Sequence, residues 1–161
     1  MADFSFNIDV PVRSEWSNVD LLITSVENCF AAMFADVDGC HTIATVTGEL
    51  LENAIKYGDW SKGNHVFRLH VSGSGNRATV AVENPVTQGS KQVEELLSII
   101  KWIEGFPSPD EAFRARLLEV AQAPRGSASK LGLVRIAYEA NCKLVVERTG
   151  VTVRVIADLT L

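Results

Sequence analysis

The chain has 161 residues, a net charge of −5, 47% hydrophobic and 22% charged residues. That composition excludes a disordered chain, and the acidic balance argues against a non-specific nucleic-acid binder. A chain of this length buries about 70% of its unfolded surface, so its core needs neither disulfides nor a structural metal.

The charge is uneven. Residues 1–60 hold ten acids and two bases, Arg13 and Lys56, whereas residues 61–161 hold ten acids and thirteen bases. Acidic solvated faces explain this, and so does a basic later half that holds an anion beside an acidic half that holds a metal or a partner. Cys29, Cys40 and Cys142 are odd in number, lack metal-site spacing and sit in apolar stretches. The expectation is three buried free thiols in a reducing cytoplasm. The N-terminus lacks the basic and apolar regions of a signal peptide, and no apolar run reaches membrane-spanning length.

In chain order, 4–10 alternates apolar and polar residues and ends at Pro11, which predicts a half-buried strand. Over 14–34, Trp16, Val19, Leu22, Ile23, Val26, Phe30 and Phe34 recur at helical spacing behind a candidate N-cap, Ser14. Residues 36–39 predict a turn and 41–57 a second helix that stops at Gly58. Strands are expected at 66–71 and 78–83, joined through the hairpin chemistry of 72–76. The 85–128 region is punctuated by Pro85, Pro107, Pro109 and Pro124 and holds two helical segments, 92–104 and 109–123, the second starting at Pro109 or Asp110. A short helix at 131–140 and a hairpin of strands 143–148 and 151–157 complete the chain. Paired hairpins without parallel crossovers favour an α+β (α/β) two-layer sandwich, with a mixed, mainly antiparallel sheet and helices on one face. Arg68, His70, Thr79, Thr152 and Arg154 are candidates for the opposite, open face.

The stretch Gly48-Glu49-Leu50-Leu51-Glu52-Asn53-Ala54-Ile55-Lys56-Tyr57-Gly58 concentrates the chemistry. On a helix Glu49, Asn53 and Lys56 fall at i, i+4 and i+7 and form one stripe. An amide oxygen can ligate Mg²⁺, a carboxylate can orient or deprotonate a nucleophile, and an ammonium can neutralise phosphate. The same spacing also fits a solvated helix face. No P-loop is present, Gly73-Ser74-Gly75 lacks the strand-then-helix context of a dinucleotide loop, and His41, His65 and His70 lack ligand spacing. Trp16, Trp60 and Trp102 are scattered, as packing residues are.

The Glu49-x-x-x-Asn53-Ala54-x-Lys56-Tyr57-Gly58 segment, following a long amphipathic helix, resembles the N-box of the Bergerat-fold ATPases, the group of gyrase, histidine kinases and the mismatch-repair ATPase. Within it the chain looks most like the anti-sigma-factor serine kinases, and the resemblance spans nearly all of 1–161 as a single ATPase domain with 85–128 as a long lid region. It implies ATP and Mg²⁺ as cofactors, Asn53 as metal ligand, Glu49 as catalytic base and Lys56 near the phosphates or the adenine side. Two further boxes depart from the family. Asn84 stands where an aspartate should receive the adenine amine, and the neighbouring glycines are missing. An asparagine oxygen still accepts that bond, without charge assistance, and Asn84-Pro85 also reads as a strand-ending turn. At the lid end, Gly126-Ser127-Ala128-Ser129-Lys130-Leu131-Gly132-Leu133 keeps only Gly132-Leu133. Ser129 and Lys130 can still offer donors and charge to a phosphate, or the serines can simply cap a helix. The resemblance implies an ATP-binding regulatory protein like an anti-sigma-factor serine/threonine kinase. It would phosphorylate a small partner, an anti-sigma antagonist or a sigma-type factor, in bacterial partner switching, and it would pair as a homodimer through the sheet face. The alternative is a degenerate, non-catalytic module that acts by protein–protein binding.

Overall fold

The computed structural model describes residues 3–11, 19–33, 36–61, 66–124 and 131–161. Ser14, Trp16, Phe34, Lys62, His65, Arg125 and the 126–130 segment, with Ser129 and Lys130, lie outside them.

Strand β1 (Phe4–Pro11) is followed by helices α1 (Val19–Met33) and α2 (Val37–Tyr57), then by strands β2 (Val66–Ser74) and β3 (Arg77–Pro85). Helices α3 (Lys91–Glu104), α4 (Pro109–Gln122) and α5 (Leu131–Glu139) come next, and strands β4 (Lys143–Thr149) and β5 (Thr152–Thr160) close the order. The five strands form one sheet in the order β1-β2-β3-β5-β4. Every pairing is antiparallel, so the expected mixed sheet is in fact wholly antiparallel. The register Val82↔Leu69 and Val82↔Val155 places apolar residues of three strands side by side.

The two-residue alternation of the strands builds the two faces. Phe67, Leu69 and Val71, Val80 and Val82, and Val153, Val155, Ala157 and Leu159 are buried and belong to one core with the helices. Arg68 and His70 point the other way and, with Asn7, Asp9, Glu83 and Arg154, line a shallow depression on the open face. There Arg68 Nε lies 3.4 Å from Asp9 and its Nη1 3.3 Å from Glu83. This part of the open face is therefore polar, as the alternation predicts, while Ala81, Val145 and Ile156 pair in an apolar row beside it.

Helix α2 is the central element of the helical layer, with Ile43, Val46, Leu50, Leu51 and Ala54 buried on its sheet side. It begins earlier than the sequence suggests. Asp36 and Gly39 are turn formers, but here Asp36 is the N-cap: its side chain accepts from the Gly39 N–H at 3.1 Å. The predicted turn is thus the first turn of the helix. Gly48 lets α1 approach, since a Cβ there would stand 2.9 Å from Ile23 Cδ1. The Phe30 ring of α1 receives Phe4 edge-on at 5.2 Å and Phe6 at 5.7 Å, which fixes α1 over β1. At the other end Gly58 caps α2, its N–H donating to the Ala54 carbonyl at 2.8 Å.

The 85–128 region contains more than a cover. Helix α3 sends Val93, Leu96, Ile99 and Ile100 into the core. Helix α4 starts at Pro109, with Ser108 accepting from the Glu111 N–H at 3.3 Å. It buries Ala112 and stacks Phe113 on Tyr138 of α5 at 4.8 Å. Cys40 and Cys142 are buried, but Cys29 is exposed on α1, which corrects the expectation of three buried thiols. Trp60 and Trp102 pack against the core. Among the described residues no helix is long and apolar enough to cross a membrane.

Candidate functional site

A cavity of about 350 Å³ opens between α2, α3 and α5. Helix α2 contributes Glu49, Glu52, Asn53, Lys56 and Tyr57, α3 contributes Ile99, and α5 contributes Leu131, Gly132, Leu133 and Arg135. The volume falls in the range of small-ligand sites. The stripe predicted from i, i+4, i+7 spacing therefore faces one cavity, and Gly132, 76 residues or more away in sequence from that stripe, stands across from it.

Each side chain is held by its helix. Asn53 Nδ2 donates to the Glu49 backbone carbonyl at 2.6 Å. Because a carbonyl can only accept, this fixes the amide orientation. It leaves Oδ1 as the amide atom open to a ligand, without a protein partner among the described residues. Lys56 is exposed, its Nζ 5.3 Å from the centroid of the Tyr57 ring. Glu49 is the most enclosed charge of the cavity, its side chain 14% exposed. Its Oε1 accepts from Arg135 Nη2 in an ion pair. The other oxygen, Oε2, lies over Gly132, where a Cβ would collide with it. Burial pushes the Glu49 carboxyl above its usual range, with neighbouring Glu52 adding in the same direction, against the pull of Arg135. Desolvation thus outweighs the ion pair at this carboxylate.

Asn84 does not line this cavity. It is 3% exposed, follows Ala78, Val80 and Val82 on the helix-covered side of β3, and donates from Nδ2 to the Pro85 carbonyl at 3.1 Å. The sequence reading missed Glu52, Tyr57, Ile99 and Arg135. Glu52 carried a visible signal, four residues before Lys56. Arg135 carried a weaker one, three residues after Gly132 and so on the same face of α5.

Among the described residues no group of three His, Cys, Asp or Glu side chains is placed to cage a metal. The donor set, one free amide oxygen near a carboxylate, suits a hard cation that keeps most of its ligands from water and phosphate, as Mg²⁺ does.

An antiparallel sheet covered on one face by helices, with the Glu49–Asn53–Lys56 stripe turned into a polar cavity beside Gly132, is the α+β two-layer sandwich expected from the sequence. No protein-family model matches the sequence, and no curated protein matches it. Among solved structures, the chain is similar to a chain of the SiaB–SiaC complex from Pseudomonas aeruginosa, with a TM-score of 0.68 and 15% identity over 97% of this chain and 89% of that one. Two nucleotide-free forms of the catalytic domain of histidine kinase ThkA align over 96% of this chain and 95% and 97% of theirs, with TM-scores of 0.45 and 0.43 at 16% and 15% identity. The likeness at 0.68 is one of fold.

Proposed function

We propose that this protein binds ATP with Mg²⁺ and acts as a regulatory serine/threonine kinase on a small partner protein. The observation that carries the reading is the convergence of Glu49, Asn53, Lys56 and Gly132 on one cavity. When bound, Mg-ATP supplies the transferable phosphoryl group, and the chemistry is mostly positioning and charge neutralisation. Asn53 Oδ1 would ligate the cation. Lys56 is free to swing from the Tyr57 ring toward phosphate oxygens. Glu49, destabilised as an anion by burial, is suited to take a proton from an acceptor hydroxyl. Ser129 and Lys130 would meet the phosphates from the segment that leads into α5. Asn84 is kept as the adenine-side residue on the family resemblance alone, since it lies outside the cavity wall. A partner protein is supported by the nature of the SiaB–SiaC structure, a complex of two proteins. The single-domain organisation, cytoplasmic setting and homodimer belong to the same proposal.

A specific observation favours a second reading. The only candidate base of the N-box stripe is tied up in an ion pair with Arg135, as expected if the fold persists as a binding module without catalysis. Isothermal titration with Mg-ATP decides the primary question. Micromolar binding that is lost in Asn53→Ala supports the nucleotide site, and no heat at millimolar nucleotide overturns it. Glu49→Gln that keeps nucleotide binding but stops phosphate transfer to the partner separates kinase from binding module.

A further inference from the structure

Arg135 holds the Glu49 carboxylate but has no role of its own in nucleotide binding so far, and the geometry of the pair is unbalanced. Glu49 is 14% exposed and Arg135 41%, so the carboxylate is the enclosed member and the guanidinium the accessible one. Arg135 uses Nη2 on Glu49, but its Nε is buried without a hydrogen-bond partner among the described residues. The Glu139 carboxylate, on the next turn of α5, lies 3.8 Å from that Nε, beyond hydrogen-bond length. The side chain therefore makes one good contact where a planar fork can make two. Both Arg135 and Glu49 line the cavity. Only a residue without a Cβ at 132 leaves the carboxylate its seat beside Arg135. A terminal phosphate has three anionic oxygens and can take two parallel N–H donors from one guanidinium, which a single Glu49 oxygen does not.

We propose that Arg135 exchanges partners. It pairs either with Glu49 or with the polyphosphate of a nucleoside triphosphate, and its move to the phosphate releases the Glu49 carboxylate toward the acceptor hydroxyl. Arg135 is thereby a positioning residue that makes Glu49 available only when a triphosphate is in the cavity. The ion pair that favours a non-catalytic module becomes the resting half of a switch. The inference rests on the nucleotide-binding reading above.

A double-mutant cycle in Mg-ATP affinity tests it. The proteins are the wild type, Glu49→Gln, Arg135→Gln and the double variant, titrated by calorimetry after circular dichroism shows each is folded. Glutamine at either position keeps side-chain length, and Arg135→Lys serves if Arg135→Gln does not fold. Release of Arg135 from Glu49 should tighten Mg-ATP binding about tenfold, the worth of one charge-assisted hydrogen bond. Simple relief of charge repulsion would act whether or not Arg135 is present, so the cycle reads the excess. The expected result is a Glu49→Gln gain several-fold larger with Arg135 present than without it, and an Arg135→Gln loss of about tenfold. Equal gains in both backgrounds, with nucleotide still bound, would overturn the exchange and leave the nucleotide site standing. No binding by any of the four proteins would overturn both.

Discussion

Replacing Gly58 by alanine should damage the end of the helix that carries the site. Gly58 has φ −73° and ψ 153°, values open to any residue, so backbone preference does not require glycine there. Space does. A Cβ at 58 would stand 2.6 Å from the Ala54 carbonyl oxygen and press on the Trp60 indole. The carbonyl is backbone inside α2 and cannot yield cheaply. The indole can move only by giving up the bond from its Nε1 to the Ile55 carbonyl, 3.1 Å. That bond is worth about 1 kcal/mol, and overpacking at a tight site costs a further 1–3 kcal/mol or so. Gly58→Ala should therefore destabilise the protein by about 2–4 kcal/mol. At 2–4 °C per kcal/mol for a chain of this size, that is a fall in Tm on the order of 10 °C. Urea unfolding followed by circular dichroism and tryptophan emission measures it. Gly105→Ala is the control, with φ −72° and its nearest atom, the Trp102 carbonyl oxygen, at 3.3 Å. It should cost less than about 1 kcal/mol, because the neighbour need give by only a few tenths of an ångström there. A Gly58→Ala loss no greater than that of the control would mean that position 58 has room for a methyl group.

Glu49 gives a pH dependence. An acid whose folded pKa is raised binds more protons folded than unfolded between the two values, so its contribution to stability falls as pH rises through that window. The excess stability of wild type over Glu49→Gln should therefore shrink as pH rises from the ordinary value of 4.5 and level off above the raised folded value. Urea midpoints across that range check this, and a difference that grows with pH would mean that Arg135 dominates the carboxylate. The cysteines should react unequally with a thiol reagent under native conditions. Cys29 is exposed and should react at once, whereas Cys40 and Cys142 are enclosed, with burial pushing the Cys142 thiol up to about 12. One fast thiol in the folded protein and three after unfolding is the expected count, and fast reaction of all three while folded would contradict the core described above.

The Glu49–Asn53–Lys56 stripe was legible because it is local. Glu49, Asn53 and Lys56 need only helical periodicity to share a face, and the apolar residues between them need only a core to bury against. The strands were legible through alternation, although both hairpins run longer than predicted. Gly73 is a strand residue here, covered by the Phe4 ring of β1, and the reversal needs only Gly75 and Asn76, with Gly75 at φ +59°. Asp36 was misread because aspartate serves turns and helix caps by the same hydrogen bond to a nearby N–H. What the sequence withheld was long-range. The insertion of β5 between β3 and β4 has no local signature. Arg135 meets Glu49 across 86 residues, and its place on the Gly132 face of α5 does not by itself say that it reaches a carboxylate on α2. The departures at Asn84 and at 126–130 were visible as letters, but their consequence depends on which residues wall the cavity.

The proposed function requires a nucleotide in the α2–α3–α5 cavity. The most direct test is to titrate Mg-ATP into isotope-labelled protein and map the backbone amide shifts by NMR. Saturable changes concentrated at Glu49, Asn53, Lys56, Gly132 and Arg135 are expected, and they should disappear in Asn53→Ala. Changes confined to the open sheet face around Arg68, His70 and Arg154, or no changes at millimolar nucleotide, would contradict the proposed function.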